Sequence, residues 1–131
     1  MIRTQSDKGD GIVRVALERP EKLNALHVAG WADLADTFEA LSETETVRAI
    51  LLESTSDRAF CGGADIAECE AERATRDQAL AYAKHVLRAV DAIAHCPHPV
   101  VAAIKGHCVG GGLEIAAACE VRISRDDGRF S

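Results

Sequence analysis

The chain has 131 residues, 47% hydrophobic and 27% charged. That is the composition of a single globular domain, with enough core to fold without disulfides or a metal to staple it. A formal net charge of -6 argues against a nucleic-acid backbone or an anionic membrane as the main partner, because either is repelled at long range. Small anionic ligands stay open, since a few local N–H groups and one or two cations can hold them.

The start of the chain leads into polar residues instead of an apolar signal core, and no run is long enough to span a bilayer, so a cytoplasmic protein is expected. Residues 12–17 (IVRVAL) are β-branched and apolar and stop before Arg19-Pro20, which predicts a strand followed by a loop. Trp31, Leu34, Ala35, Phe38 and Leu41 recur at helical spacing, and residues 49–53 form the next strand. From 75 to 95 a second helical pattern places Leu80, Ala83, Leu87, Val90 and Ile93 on one face until Pro97 and Pro99 forbid continuation. A strand at 100–104, an Ala-rich helix at 113–119 and a strand at 121–124 complete the order. Strands alternating with helices imply an α/β fold. No repeat at a fixed period is visible, which argues against short solenoid repeats.

Five cysteines, Cys61, Cys69, Cys96, Cys108 and Cys119, lack any C-x-x-C pair, so reduced thiols are expected. Cys61 reads as a buried thiol in preference to a nucleophile. The run His95-Cys96-Pro97-His98 has donors that suit zinc, but the proline separates them and no metal site is expected. His107 and Cys108 are adjacent and on a strand point to opposite faces. Arg19, Lys22 and Arg58 read as solvated surface charges, with phosphate contact as the alternative.

The most informative stretch is residues 105–124, KGHCVGGGLEIAAACEVRIS, in which a strand runs through three glycines into a helix. Backbone N–H groups there can approach an anion at the positive end of the helix dipole, and Glu114 lies one turn on from Gly111. The same pattern also suits a tight turn in which Glu114 only offsets the dipole. P-loop and dinucleotide fingerprints fail, for want of Lys-Ser/Thr after the last glycine and because Ile115 stands where a third small residue is needed. In 59–66, AFCGGADI, Gly62-Gly63 similarly frees the backbone to present the Ala64 N–H.

Three stretches together resemble the crotonase (enoyl-CoA hydratase/isomerase) superfamily: LERPEKLNAL at 17–26, AFCGGADI at 59–66 and KGHCVGGGLEIAAACEVRI at 105–123. The resemblance spans essentially the whole chain, which it identifies as the amino-terminal portion, residues 1–131, of a single crotonase-like domain. It implies a spiral of ββα units, truncated before the rest of the core and the trimerisation helices. It also implies an acyl-CoA thioester as substrate, no separate cofactor and no metal, and a homotrimer or dimer of trimers for the full-length protein.

On the same resemblance Ala64 and Gly111 supply an oxyanion hole for the thioester oxygen, and Glu114 matches an acid/base glutamate. Lys22, Leu23, Ala25, Ala64, Asp65, Ile66, Ala67 and Gly111 match positions that line CoA. A second hydratase glutamate is expected shortly beyond residue 131, in the segment that Gly128-Arg129-Phe130-Ser131 begins. Hydration of a 2-enoyl-CoA is the implied reaction. Isomerisation, other enolate chemistry, or an inactive CoA-binding fragment are the alternatives. Glu120 stands where many relatives have Asp.

Overall fold

Alternating burial along the apolar strands sets the architecture. In the computed structural model, which describes residues 1–6 and 9–131, the chain forms β1 (Ile2–Ser6), β2 (Ile12–Leu17), α1 (Val28–Ser42), β3 (Ala49–Ser54) and β4 (Ala59–Cys61). Then come α2 (Ile66–Glu72), α3 (Arg76–Ala94), β5 (Val100–Ile104), β6 (His107–Cys108), α4 (Gly111–Ala118), β7 (Val121–Ser124) and β8 (Arg129–Phe130). Every second residue of β3 and β5 is buried, among them Ile50, Leu52, Val100, Ala102 and Ile104. They pack with Trp31, Leu34 and Phe38 of α1, each fully buried large side chain contributing roughly 1.5–3 kcal/mol.

The strands sort into two sheets. One has the order β1-β2-β3-β5-β7, parallel apart from β1 against β2, and the other is the parallel trio β4-β6-β8. Strands come in consecutive pairs, β3/β4, β5/β6 and β7/β8, with the first member in the large sheet and the second in the small one. Helices carry the chain from one pair to the next, so the molecule winds as a spiral of strand-strand-helix turns. The pairs begin at residues 49, 100 and 121, because two helices fill the first interval and the eight-residue α4 the second. That unequal spacing hides the repeat from any search at a fixed period.

The major elements lie where the sequence places them. The short strands β4, β6 and β8, and β1 with its polar residues, carry too little periodicity to be read. The apolar stripe of α3 differs from the reading: Leu80 and Leu87 are exposed, and Tyr82, Ala89 and Ile93 are buried. Of the expected stripe, Ile93 is buried as read, while Ala83, Leu87 and Val90 border a cavity instead of the packed face. A capping box starts α3, with the Gln78 N–H donating to Thr75 Oγ1 (3.2 Å) and the Thr75 N–H to Gln78 Oε1 (3.0 Å). Among the described residues no helix is long and apolar enough to cross a membrane.

Close approach of α4 to β4 joins the helix layer to the small sheet. A Cβ built on Gly112 would sit 2.4 Å from the Cys61 carbonyl oxygen, which already accepts the Val109 N–H at 3.0 Å. Backbone, not a flexible side chain, must move to admit it. Gly112→Ala is therefore expected to cost about 1–3 kcal/mol or more, read as a lowered urea midpoint with unchanged slope. An unchanged midpoint would show that the two elements separate more readily than described.

Candidate active site

The turn between β4 and α2 is built by glycine. Gly63 has φ +93°, a conformation other residues adopt only with strain, and a Cβ there would lie 2.9 Å from the Val109 carbonyl oxygen. The next residue, Ala64, pairs with Leu26 in a lone parallel bridge. In this bridge the Leu26 N–H donates to Gly63 O (2.7 Å) and the Asp65 N–H to Leu26 O (2.9 Å). The bridge therefore consumes groups on either side of Ala64 and turns the Ala64 N–H away from Leu26, with no acceptor among the described residues.

The 22–26 loop that supplies Leu26 is held by a buried polar hub. Asn24 is fully buried; its Nδ2 donates to Ser54 Oγ (2.7 Å) and Phe60 O (3.1 Å), and its Oδ1 accepts the Arg19 N–H (2.7 Å). Leu23 and Asn24 both have left-handed φ, 52° and 58°, which fold the loop back on itself. The Gly62 N–H then reaches Leu23 O at 2.8 Å, zipping the loop onto the glycine turn.

Arg19 corrects the expectation of a solvated charge. Its Nη1 donates to Ala25 O (2.9 Å), and its Nη2 pairs with Asp65 Oδ2 (2.9 Å) with only 20% and 11% of the two side chains exposed. The hydrogen bond from Arg19 holds the Asp65 carboxyl below the ordinary carboxylate range. A carboxyl that titrates lower when folded adds stability at neutral pH, lost only as pH falls beneath that range. Asp65 also caps α2 by accepting the Ala67 N–H at 3.2 Å, and Glu68 of α2 accepts the first amide of α1, Val28 N–H, at 2.7 Å.

On the other side, α4 begins at Gly111 after Gly110, whose φ is +53°. The Gly112 N–H bonds Val109 O, and both Leu113 and Glu114 donate to Gly110 O. The Gly111 N–H is left without an acceptor among the described residues, at the positive end of the helix. A Cβ built on Gly111 would lie 3.8 Å from Gly63 Cα and 2.8 Å from Trp31 Cζ2, so the two glycine turns touch and the indole packs against them.

Ala64, Gly111 and Glu114 line one cavity of about 600 Å³, closed on one side by Trp31 and on another by α3 through Ala79, Tyr82, Ala83, Val86, Leu87 and Val90. Glu114 is exposed and lies one turn into α4. Lys22, Leu23, Ala25, Asp65, Ile66 and Ala67 do not border this cavity; they gather on the adjoining loop pair. Ile66 is 78% exposed and Ala67 and Lys22 are exposed as well, which gives that loop pair an open outer surface.

Sequence reasoning missed Trp31, Arg73 and Tyr82 as cavity residues and Asn24 as a hub. An Asn flanked by Leu23, Ala25 and Leu26 was the available sign of the hub, since a polar residue inside an apolar loop is often buried for its hydrogen bonds.

The reading of Cys61 as a buried thiol holds. Burial pushes the Cys61 thiol up to about 12, and it donates to Asn24 O at 3.2 Å. Burial also raises Cys108 to about 11 and Cys119 to about 12. Of the neighbouring pair, Cys108 is fully buried and His107 only partly. His95 Nδ1 lies 3.0 Å from Asp91 O and His98 Nε2 3.0 Å from Leu41 O, so each ring has its own backbone partner.

A spiral of strand-strand-helix turns, with two uncommitted amides and a carboxylate on one cavity, defines the crotonase type of α/β protein. A sequence model described as enoyl-CoA hydratase/isomerase matches residues 7–131, and the chain belongs to that family. It is 32% identical over 128 residues to the mouse mitochondrial Delta(3,5)-Delta(2,4)-dienoyl-CoA isomerase, covering 91% of this chain and 39% of that protein. To the fatty acid oxidation complex subunit alpha of Vibrio campbellii it is 37% identical over 116 residues, covering 88% and 16%.

Among solved structures, an enoyl-CoA hydratase of Mycobacterium smegmatis superposes with TM-score 0.93 at 33% identity, covering 99% of this chain and 49% of that one. An enoyl-CoA hydratase/carnithine racemase of Magnetospirillum magneticum gives 0.91 at 39% identity, covering 98% and 50%. The chain thus spans less than half the length of these curated relatives and about half of these structures.

Two measurements test the site. Asn24→Ala leaves the Arg19 amide and Ser54 hydroxyl short of partners and is expected to lose about 2–4 kcal/mol of unfolding free energy in urea. Thiol labelling at pH 8 is expected to modify half-buried Cys69 in the native protein and to reach Cys61, Cys108 and Cys119 only after denaturant is added. Rapid native labelling of Cys61 would reinstate it as a candidate nucleophile.

Proposed function

We propose that the complete protein binds an acyl-CoA thioester and hydrates a 2-enoyl group through an enolate-like intermediate. The Ala64 and Gly111 N–H groups form an oxyanion hole for the thioester oxygen. The carrying observation is that two touching glycine turns each leave one amide without an acceptor among the described residues, on the cavity that Glu114 lines. Preorganised donors stabilise charge that develops in the transition state more than the neutral thioester, and removing one from comparable sites costs about 2.7–4 kcal/mol. CoA itself is part of the substrate and runs along Lys22, Leu23, Ala25, Asp65, Ile66 and Ala67, where the paired loops offer an open strip of backbone.

Glu114 acts in this reading as an acid/base toward the carbons beside the thioester or the water added there. A second carboxylate, outside these residues, partners it in hydration. Isomerisation is the rival reading, favoured by likeness to the mouse dienoyl-CoA isomerase, and it uses the same amides with a different placement of proton donors. Trimeric assembly of the complete protein belongs to the same proposal. The 131-residue chain by itself is expected to bind an acyl-CoA weakly and to turn over none, since Glu114 is the sole carboxylate lining its cavity among the described residues.

Glu114→Gln in the complete polypeptide is expected to lower kcat for a short 2-enoyl-CoA by roughly 100- to 10,000-fold with little change in KM. The readout is loss of enoyl-thioester absorbance, with product analysis separating the hydroxyacyl from the isomerised thioester. Wild-type rates in the variant would remove Glu114 from the chemistry. Calorimetric titration of the 131-residue chain with acyl-CoA separates a binding fragment from an inert one.

A further inference from the structure

Arg73, which caps the C-terminal end of α2, stands out among the cations of this acidic chain. Its guanidinium carbon lies 4.1 Å above the centre of the Tyr82 ring, and both residues line the cavity that holds Ala64, Gly111 and Glu114. Several cations elsewhere on the chain are committed to carboxylates: Arg88 pairs with Asp36 and Glu39, Arg19 with Asp65, Lys105 with Asp57, and Arg125 with Asp57 and Asp127. No carboxylate among the described residues lies within ion-pair distance of Arg73, although Glu70 and Glu72 are close in sequence.

The stack is fixed from beneath. The Trp31 Nε1–H donates to the Tyr82 hydroxyl at 3.1 Å, and the Trp31 ring abuts Gly111, so Arg73 is tied through two aromatic rings to the turn that presents the Gly111 amide. The cavity wall between them is apolar, made by Ala79, Ala83, Val86, Leu87 and Val90. A hydrocarbon tail filling that space would strip water from a permanently charged guanidinium and offer no acceptor in return. A carboxylate at the far end of the tail would accept two parallel N–H bonds from the planar fork.

Resting on the acyl-CoA reading above, we propose that Arg73 is a specificity-determining residue that selects acyl groups ending in a carboxylate, so that the preferred substrate is a carboxyl-terminated 2-enoyl-CoA. Glu114 and Arg73, of opposite sign, are the two charged residues that line the cavity among the described residues. The same fork chemistry would also suit a phosphate of CoA, and the test separates the two sources.

The experiment compares, in the complete polypeptide, two six-carbon 2-enoyl-CoA thioesters that differ only in a terminal methyl or a terminal carboxylate. Wild type should show the lower KM for the carboxylate. Arg73→Leu should raise that KM roughly 10- to 100-fold with kcat near its starting value, and should lower the KM for the methyl-ended substrate, so that the preference between the two reverses. Arg73→Lys should recover part of the loss, because it keeps the charge but not the fork. Arg73 is exposed, so both variants are expected to fold, with thermal melts as the check.

An equal rise in KM for both substrates, abolished when the thioesters are made on dephospho-CoA or pantetheine, would assign Arg73 to a CoA phosphate and overturn the proposal. No change with either substrate would overturn it too, leaving the acyl-CoA reading intact. Failure of wild type to bind or convert either thioester would instead bring down the functional reading itself.

Discussion

A single bridge between Leu26 and Ala64 is the constraint from which the site follows. Its two hydrogen bonds engage the Gly63 carbonyl and the Asp65 amide, and the amide between them is thereby aimed elsewhere. An unpaired backbone N–H is costly unless something outside the protein pairs with it. It persists here because its neighbours are over-determined: Asn24 pins the partner loop to β3 and β4 from inside, and Arg19 clamps it to Asp65 from outside. The second free amide, at Gly111, has a more general origin, since every α-helix begins with N–H groups that its own carbonyls cannot reach. The fold's contribution is to bring the two together, which it does by leaving Gly63 and Gly111 without side chains between them.

The spiral explains why these turns can touch although 47 positions separate residues 64 and 111 in the numbering. Each strand pair sends its second member into the small sheet, so β4 and β6 lie side by side and the turns that follow them emerge at the same end. Ala64 follows β4 and Gly111 follows β6. Parallel pairing of the preceding strands therefore registers the two amides, and the Gly112 contact with Cys61 O sets how near α4 may come. The two free amides reside on loops, while their placement comes from sheet register and helix packing.

Much of this was legible in the chain. The long elements were readable because α1 and the central strands are patterned for burial on one face, and the glycine turns were readable because only glycine permits their backbone. The α3 stripe misled because a helix bordering a cavity has two apolar flanks, one packed and one lining the hollow, and periodicity cannot tell them apart. Leu87 and Val90 belong to the second, Ala89 and Ile93 to the first. Strands of two or three residues, such as β4, β6 and β8, escape detection for a different reason: their place is set by register with one another and not by their own sequence. The Arg19–Asp65 pair and the Trp31–Tyr82–Arg73 stack join residues far apart in the chain, and no local signal announces such meetings.

The distribution of charge in the cavity bears on which reaction the complete protein carries out. An oxyanion hole of the kind proposed for the two amides would serve hydration and isomerisation equally, so it does not discriminate. An isomerisation moves a proton between two carbons of one substrate, and one well-placed carboxylate can take it up and return it. Hydration adds a hydroxyl and a proton to different carbons, and steering both calls for a second group near the water. Glu114 is the one carboxylate that lines the cavity among the described residues. On the proposed acyl-CoA reading, a group that chooses between the two reactions has to come from outside the described cavity lining, in which Glu114 is the single carboxylate.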